Sequence, residues 1–208
     1  MLLFRLCVII LQAETIDKDG WLHSGDKGCV DRRGMFRVTG RYKELLIGAG
    51  GENIAPVPIE DNIKKLCPAV SNIMMVGDKM PFNCALITLK AKGANGEKPG
   101  TDDLDLEALD LTKNEAEPVT TVSAAFDSPA FEKAITTAIV QTNNDETVCP
   151  MNASKIQRFT ILPADFSVET DELTPTFKLK RGEVAKKYKS AIDNMYASKV
   201  KSGYVRLA

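Results

Sequence analysis

Gly50-Gly51-Glu52-Asn53-Ile54-Ala55-Pro56-Val57-Pro58-Ile59-Glu60-Asp61-Asn62-Ile63-Lys64-Lys65-Leu66-Cys67-Pro68 is a glycine loop running into a helix, and the fold is read outward from it. Ile59, Ile63 and Leu66 recur at helical spacing and share one face, from about Pro56 or Pro58 onward. The ends agree with a helix. Proline suits the first turn, Glu60 and Asp61 stand toward the positive end of the dipole, Lys64 and Lys65 toward the negative end, and Pro68 is a stop. Downstream, Asn72 to Val76 and Cys84 to Lys90 read as apolar strands joined through Gly77-Asp78-Lys79-Met80-Pro81, a hairpin or a neighbouring pair. Upstream, Ile16 to Arg41 is dense in Gly and Asp. Phe36 and Val38 alternate with Arg37 and Leu45 to Ile47 follows, which predicts two short strands around a turn at Gly40, in a stretch too turn-rich to hold a core by itself.

Residues 91–127 shift to Gly, Pro, Thr and acids, with a short helix expected in Leu104 to Leu111. Their first half has too few apolar residues to join a core, so the segment reads as a surface insertion. Ser128-Pro129 then opens a helix whose stripe is Phe131, Ile135, Ala138 and Ile139. Ile156, Phe159 and Ile161 mark a strand. A last helix is expected from about Gly182 to Ser202, burying Val184, Tyr188, Ile192 and Met195 while Lys186, Lys187 and Lys189 face outward. The order β-β-α-β-β-α-β-α implies an α+β fold, a small mixed sheet with helices packed on it.

Composition excludes several classes. The chain has 208 residues, 27 basic against 28 acidic side chains and a formal net charge of −1, with none of the basic excess that nucleic acid binding asks for. Cys7, Cys29, Cys67, Cys84 and Cys149 are scattered without a C-x-x-C pair, and with His23 as the one histidine they make no convincing zinc site; reduced, buried thiols in a cytosolic setting are the plainer reading. The apolar run Leu2 to Leu11 is broken by Arg5 and falls short of the ~20 residues of a spanning helix. It also fits a signal peptide poorly, since its charge lies inside the run and no small-residue cleavage site follows.

Three clusters could carry chemistry, and each has a plain structural reading beside it. In Gly20-Trp21-Leu22-His23-Ser24-Gly25-Asp26 a carboxylate ends a tight glycine turn, where a short acid can accept hydrogen bonds from both hydroxyls of a ribose; turn aspartates are also common. His23 lacks an evident partner and reads as a turn residue. Arg41, after Gly40, offers a fork of donors to phosphate or ribose, and Gly50-Gly51 lets a backbone approach a ligand. This is no P-loop, because no Lys-Ser/Thr follows the glycines. Glu172-Leu173-Thr174-Pro175-Thr176-Phe177-Lys178-Leu179-Lys180-Arg181 is a rigid, hydroxyl-rich loop with three cations. A lysine held out on it could meet developing negative charge, and a solvated basic helix start is the alternative.

In this order and spacing the clusters point further. From about Ala13 onward the chain resembles the C-terminal part of the adenylate-forming (AMP-binding) superfamily: acyl- and aryl-CoA synthetases, luciferase-type enzymes and peptide-synthetase adenylation domains. The run at 50–60, the acidic insertion and Leu-Thr-Pro-Thr-Phe-Lys-Leu-Lys-Arg at 173–181 are similar to long-chain acyl-CoA synthetases of the bubblegum type.

The resemblance implies that residues 13–42 are the end of the large AMP-binding domain and 43–208 a mobile C-terminal lid domain, after a non-family apolar start at 1–12. It implies a two-step reaction. A fatty acid and MgATP give acyl-adenylate and pyrophosphate, then coenzyme A displaces AMP to give the thioester. Asp26 matches the ribose-binding acid and Arg41 the nucleotide-contacting arginine. Lys43 matches the hinge, Gly50 and Gly51 the loop brought to the thiol tunnel for the second step, and Lys178 the lysine that enters the site for the first. Phe177 stands where many relatives have Gly, a bulkier form that long-chain members share.

The expected partners are therefore a long-chain fatty acid, ATP, Mg2+ and coenzyme A, together with a large domain carrying the Ser/Thr/Gly-rich phosphate loop and the adenine segment, neither of which is legible here. A cytoplasmic location follows, with peripheral attachment to endoplasmic reticulum or another lipid-handling membrane compatible with it. The chain reads as a fragment with a truncated or misassigned start. A competing reading is a binding or regulatory module that keeps the lid fold without catalysis; another keeps the enzyme class but changes the acid to an aryl or amino acid. If residues 14–42 belong against another domain, Trp21, Leu22 and Phe36 should be exposed.

Overall fold

The computed structural model describes residues 16–41 and 44–207. The apolar run Leu2 to Leu11, Cys7 and Lys43 lie outside the described residues. The chain forms two compact units, Met1–Leu45 and Leu46–Ala208.

In the first unit, strand β1 (Asp26–Val30) pairs antiparallel with β2 (Phe36–Arg41), with a bulge between Lys27 and Gly28. The density of Asp and Gly has a direct cause. Asp31 Oδ1 accepts the N–H groups of Arg33 (2.7 Å) and Met35 (3.0 Å) across the turn, and Asp17 Oδ1 accepts those of Asp19 (3.0 Å) and Trp21 (2.9 Å). Each carboxylate thus satisfies donors that a tight turn would leave bare. The expected turn at Gly40 is not there: Gly40 lies inside β2, and β2 pairs back onto β1. Alternation locates strands, but the turns that choose their partners sit at Asp31 and beyond Ile47. Trp21, Leu22 and Phe36 are 73%, 67% and 87% exposed, as expected for that stretch.

In the second unit, β3 (Leu46–Ile47) and β4 (Asn53–Ile54) form a small hairpin, and helix α1 (Pro56–Leu66) follows with proline in its first turn. Then come β5 (Val70–Val76), β6 (Asn83–Leu89), the short helices α2 (Leu106–Asp110) and α3 (Val122–Ala125), α4 (Pro129–Asn144), β7 (Ile156–Ile161), α5 (Arg181–Lys187), α6 (Lys189–Ala197) and β8 (Gly203–Tyr204). The sheet order is β5-β6-β7-β8; β5 and β6 are antiparallel, and the other two pairs are parallel. Every residue of β6 is buried, because both faces are covered. Ala85, Ile87 and Leu89 join Ile59, Ile63, Phe131 and Ile135 of α1 and α4 on one face. Cys84 and Leu86 join Val184 and Met195 of α5 and α6 on the other. The period-two switch between neighbours is the strand pleat itself.

Three expectations are corrected. The insertion is not purely superficial: Ala91, Leu104, Ala108, Val122 and Ala125 are buried in the first core, so a few apolar residues spaced along a polar segment suffice to anchor it. The single last helix is two. Its run breaks at Tyr188 (φ −101°, ψ 24°) and ends at Ala197, which frees Gly203–Tyr204 to pair with Arg158–Phe159 at the sheet edge. Glu60 and Asp61 stand beyond the first turn of α1, so they are not its dipole partners; Glu60 is only 5% exposed, and Leu66, expected on the apolar face, is 41% exposed.

Candidate functional site

Asp26 opens β1 directly opposite Arg41, the last residue of β2, so the pairing register sets the two nucleotide candidates side by side along the backbone. Gly25 precedes Asp26 at φ +77°, and the Asp26 N–H donates to Ser24 Oγ at 3.1 Å. The carboxylate-bearing residue is exposed. His23 does have a partner: its Nε2 lies 2.9 Å from Asp17 Oδ2, and that contact, with the turn's N–H groups, holds the Asp17 carboxyl below its ordinary range. Six residues separate the two, and the turn between them brings them together. The pair explains His23 as a turn residue.

Gly50 and Gly51 lie on the exposed turn between β3 and β4. The Gly48 N–H donates to Glu52 O (2.9 Å) and the Gly51 N–H to Gly48 O (2.9 Å), with Gly51 at φ +86°. The Glu52 carboxylate folds back over the turn and fills the space that a Cβ on Gly48 or Gly50 would need. Gly51 is required by conformation, whereas at Gly50 a Cβ would meet only the movable carboxylate end of Glu52. The hairpin is tied to the β5–β6 connection, where the Lys79 N–H donates to Ile47 O (2.7 Å) and Asp78 Oδ1 accepts the Ile47 N–H (3.1 Å).

The third cluster is a small hairpin between β7 and α5. Leu173 bridges Leu179, the Thr174 N–H donates to Lys178 O (2.8 Å), and the Phe177 N–H donates to Thr174 O (2.8 Å). Thr174 Oγ1 accepts the Lys178 N–H (3.0 Å), which is the work of the hydroxyls noted in the sequence. At the tip Phe177 takes φ +58°, a left-handed conformation that costs a residue with a Cβ roughly 1–2 kcal/mol.

The three cations of this loop are not equivalent. Lys180 Nζ pairs with Asp171 Oδ1 at 2.5 Å. Arg181 makes a bidentate pair with Glu60, 2.7 and 2.6 Å, and the same Glu60 Oε1 accepts the Met75 N–H at 2.7 Å. Lys178 is exposed, and no hydrogen bond or ion pair engages its side chain among the described residues. The other root of the loop is held by Glu172, only 1% exposed. It accepts Lys187 Nζ (2.5 Å) and the Tyr188 hydroxyl (3.0 Å), together with the Ser167 N–H (3.2 Å) and the Thr170 hydroxyl. Burial works to raise its pKa, yet these donors prevail and hold it below the ordinary carboxylate range. Neither Glu60 nor Glu172 was marked by the sequence as a support. Their signal is only that an acid stands at a position whose neighbours are core.

Three of the four described thiols are buried. Burial raises Cys67 and Cys149 and pushes Cys84 up to about 11, the behaviour of inert buried cysteines; Cys29 is exposed. Among the described residues no group of three or more His, Cys, Asp or Glu is placed to hold a metal ion. No helix among them is long and apolar enough to cross a membrane.

Residues 43–104 match the family model of the AMP-binding enzyme C-terminal domain. The chain is 50% identical over 188 residues to a long-chain-fatty-acid–CoA ligase, ACSBG2, of Gallus gallus, covering 88% of this chain and 24% of that protein. It is 43% identical to the ACSBG2 ligase of Homo sapiens, covering 88% of this chain and 27% of that one. It thus spans about a quarter of the length of these relatives. Among solved structures, the adenylation domain of a carboxylate reductase from Mycobacterium chelonae superposes with a TM-score of 0.67 at 19% identity, over 91% of this chain and 25% of that one. The corresponding domain from Segniliparus rugosus, in complex with AMP and a carboxylic acid, gives 0.65 at 20% identity, over 90% of this chain and 25% of that one. At these identities the two structures bear on the fold.

Proposed function

Because the chain belongs to the adenylate-forming (AMP-binding) superfamily and matches its bubblegum-type members, we propose that it is the C-terminal portion of an ATP-dependent long-chain fatty acid–CoA ligase. The first unit is the end of the large nucleotide-binding domain and the second is the mobile lid. The observation that carries this reading is the loop at 172–181, which ties down Lys180 and Arg181 and holds Lys178 out alone.

In the first half-reaction a carboxylate oxygen of the fatty acid attacks the α-phosphorus of ATP, the bond to the bridging oxygen breaks, and pyrophosphate leaves. Negative charge grows on the α-phosphate oxygens, and a preplaced ammonium stabilises that transition state more than the ground state. That is the role of Lys178. Asp26 accepts the ribose hydroxyls and Arg41 contacts the nucleotide. ATP would be taken as its magnesium complex, the ion supplying charge neutralisation at the phosphates; the described residues of this chain supply no cluster for it. In the second half-reaction the sulfur of coenzyme A attacks the acyl carbon, the bond from that carbon to the phosphate oxygen breaks with its electron pair going to AMP, and the thiol proton passes to water or to the departing phosphate. The exposed Gly50-Gly51 turn, with the Glu52 carboxylate folded over it, is the face turned toward that thiol. Lys43 is the pivot between the two arrangements; it lies two residues before Leu45, where the first unit ends. The large domain supplies the phosphate loop and acid pocket, so the isolated chain is not expected to turn over. We place the enzyme in the cytoplasm, peripheral to a lipid-handling membrane such as the endoplasmic reticulum.

The test is Lys178→Ala in the full-length ligase. ATP–pyrophosphate exchange should fall about a hundredfold to a thousandfold, while thioester formation from supplied acyl-adenylate stays nearly intact and Lys180→Ala is mild. Exchange that survives Lys178→Ala but fails with Lys180→Ala would shift the register of the motif. Two mild variants would leave a solvated helix start and favour a non-catalytic module.

A further inference from the structure

The insertion at 91–127 reaches the lysine loop. Its first part is a hairpin in which Ala94 bridges Pro99 and Ala91 bridges Leu104, tightened by Asn95, whose Oδ1 accepts the N–H groups of Glu97 (3.0 Å) and Lys98 (2.9 Å). The hairpin is pinned along its length to the segment that leads into the loop. The Asp165 N–H donates to Pro99 O (3.3 Å), the Val168 N–H to Gly96 O (2.8 Å) and the Glu169 N–H to Glu97 O (3.0 Å). Asp165 is itself rooted in the sheet, accepting from Ser71 Oγ (2.5 Å), Asn72 Nδ2 (2.8 Å) and Thr88 Oγ1 (2.5 Å).

Gly96, at the hairpin tip with φ +83°, faces the ring of Phe177. A Cβ on Gly96 would stand 2.7 Å from Phe177 Cδ1 and 2.9 Å from Cε1, so the ring lies against bare glycine backbone. Phe177 is 54% exposed and takes the strained left-handed conformation at the tip of the loop, immediately before Lys178. A large apolar side chain in water gains nothing from that conformation. What the ring obtains there is a seat on Gly96, at the tip of the loop and away from the Glu60 and Glu172 clamps at its roots.

We propose that the 91–100 hairpin is a buttress for the lysine loop, with Gly96 and Phe177 as the contact and both acting as positioning residues for Lys178. This rests on the reading of Lys178 as the lysine of the first half-reaction. Residues 91–100 thereby gain a role, since the ring and the glycine that seats it are matched across 81 residues of chain. Gly96 is held to glycine twice, by its positive φ and by the Phe177 ring that a Cβ would meet.

Two readouts test it. In this chain, amide hydrogen exchange at Phe177 and Lys178 should quicken about tenfold in Phe177→Gly and in Gly96→Ala, stay unchanged in Phe177→Tyr, and leave the amides of β5, β6 and β7 as they were. In the full-length ligase, Phe177→Gly should lower kcat for ATP–pyrophosphate exchange about tenfold with thioester formation from acyl-adenylate unaffected, Phe177→Tyr should retain activity, and Gly96→Ala should cost less in the Phe177→Gly background than in the native one, since only the strain of its positive φ then remains. Phe177→Gly with native exchange rates and native adenylation, where Lys178→Ala is crippling, overturns the buttress alone. Phe177→Tyr as damaging as Phe177→Gly overturns it too. Lys178→Ala without effect on adenylation overturns the reading of Lys178 beneath it.

Discussion

Glu60 and Glu172 show how single acids can decide the shape of a loop ten residues long. Glu60 is buried, with Arg181 on one side and the Met75 N–H on the other. Removing one partner of a buried pair strands the other, which typically costs about 3–5 kcal/mol. Glu60→Ala should therefore lower urea stability by about that amount, whereas Lys180→Ala, which breaks an exposed pair, should change it by less than about 1 kcal/mol. Equal effects would mean that the Glu60 pair is no anchor. Glu172 adds a pH dependence. Its folded pKa is lowered from an ordinary value near 4.5, so as pH falls the unfolded chain takes up this proton first. The stabilisation is whole above that value and disappears as the pH falls toward the lower folded one. Glu172→Gln should flatten the acid limb of a stability–pH curve while lowering stability at neutral pH.

Among elements, α4 is the clearest product of its own sequence. Phe131, Ile135 and Ala138 recur every three or four residues and all are buried in the first core. Phe131 is fully enclosed, so Phe131→Ala should destabilise the second unit by about 3–5 kcal/mol, read as a lower denaturation midpoint with an unchanged slope. The α5–α6 pair is a product of its surroundings. Its composition is helical throughout, but the Tyr188 hydroxyl donates to Glu172, and Arg158 Nη1 donates to Met195 O (2.5 Å) and Tyr196 O (3.3 Å) at the end of α6. The connection at Lys43 makes a prediction of its own. Proline there fixes φ near −65°, so in the full-length ligase Lys43→Pro should affect adenylate and thioester formation unequally. Equal loss, or no loss, would place the pivot elsewhere.

At the scale of the molecule, the first unit exposes Trp21, Leu22, Val30, Met35 and Phe36, five large apolar side chains in a short stretch of chain, which is what a surface made for a partner would carry. Trp21 is the chain's one tryptophan, and at 73% exposure it reports this surface directly. Its fluorescence should be red-shifted and open to acrylamide quenching in this chain, and blue-shifted and protected in the full-length ligase. A shielded Trp21 in the isolated chain would argue against a docking surface. The second unit carries both the Gly50-Gly51 turn and the Lys178 loop on one core. Helix α1 links them, following the first through β4 and gripping the root of the second through Glu60.

The sequence by itself determined the elements that rest on local physics. Proline and spacing placed α1, apolar runs placed β5, β6 and β7, and the Pro129 start with its stripe placed α4. It also determined which loops carry Asp26, Gly50, Gly51 and Lys178, because turn glycines, hydroxyls and basic runs are written in consecutive residues. Tertiary structure decided everything that depends on a partner far along the chain. It paired β2 with β1 rather than with Leu46–Ile47, drew Leu104 and Val122 of a polar insertion into the core, and split the last helix. It also paired Lys180 and Arg181 with acids while leaving the Lys178 side chain unengaged among the described residues, where the sequence sets Lys178 apart only by resemblance. In the sequence these three are equal charges within four residues, and what separates them is an acid 121 residues away from Arg181 and another 9 from Lys180. A side chain's freedom depends on what folds against it, and no local pattern records that.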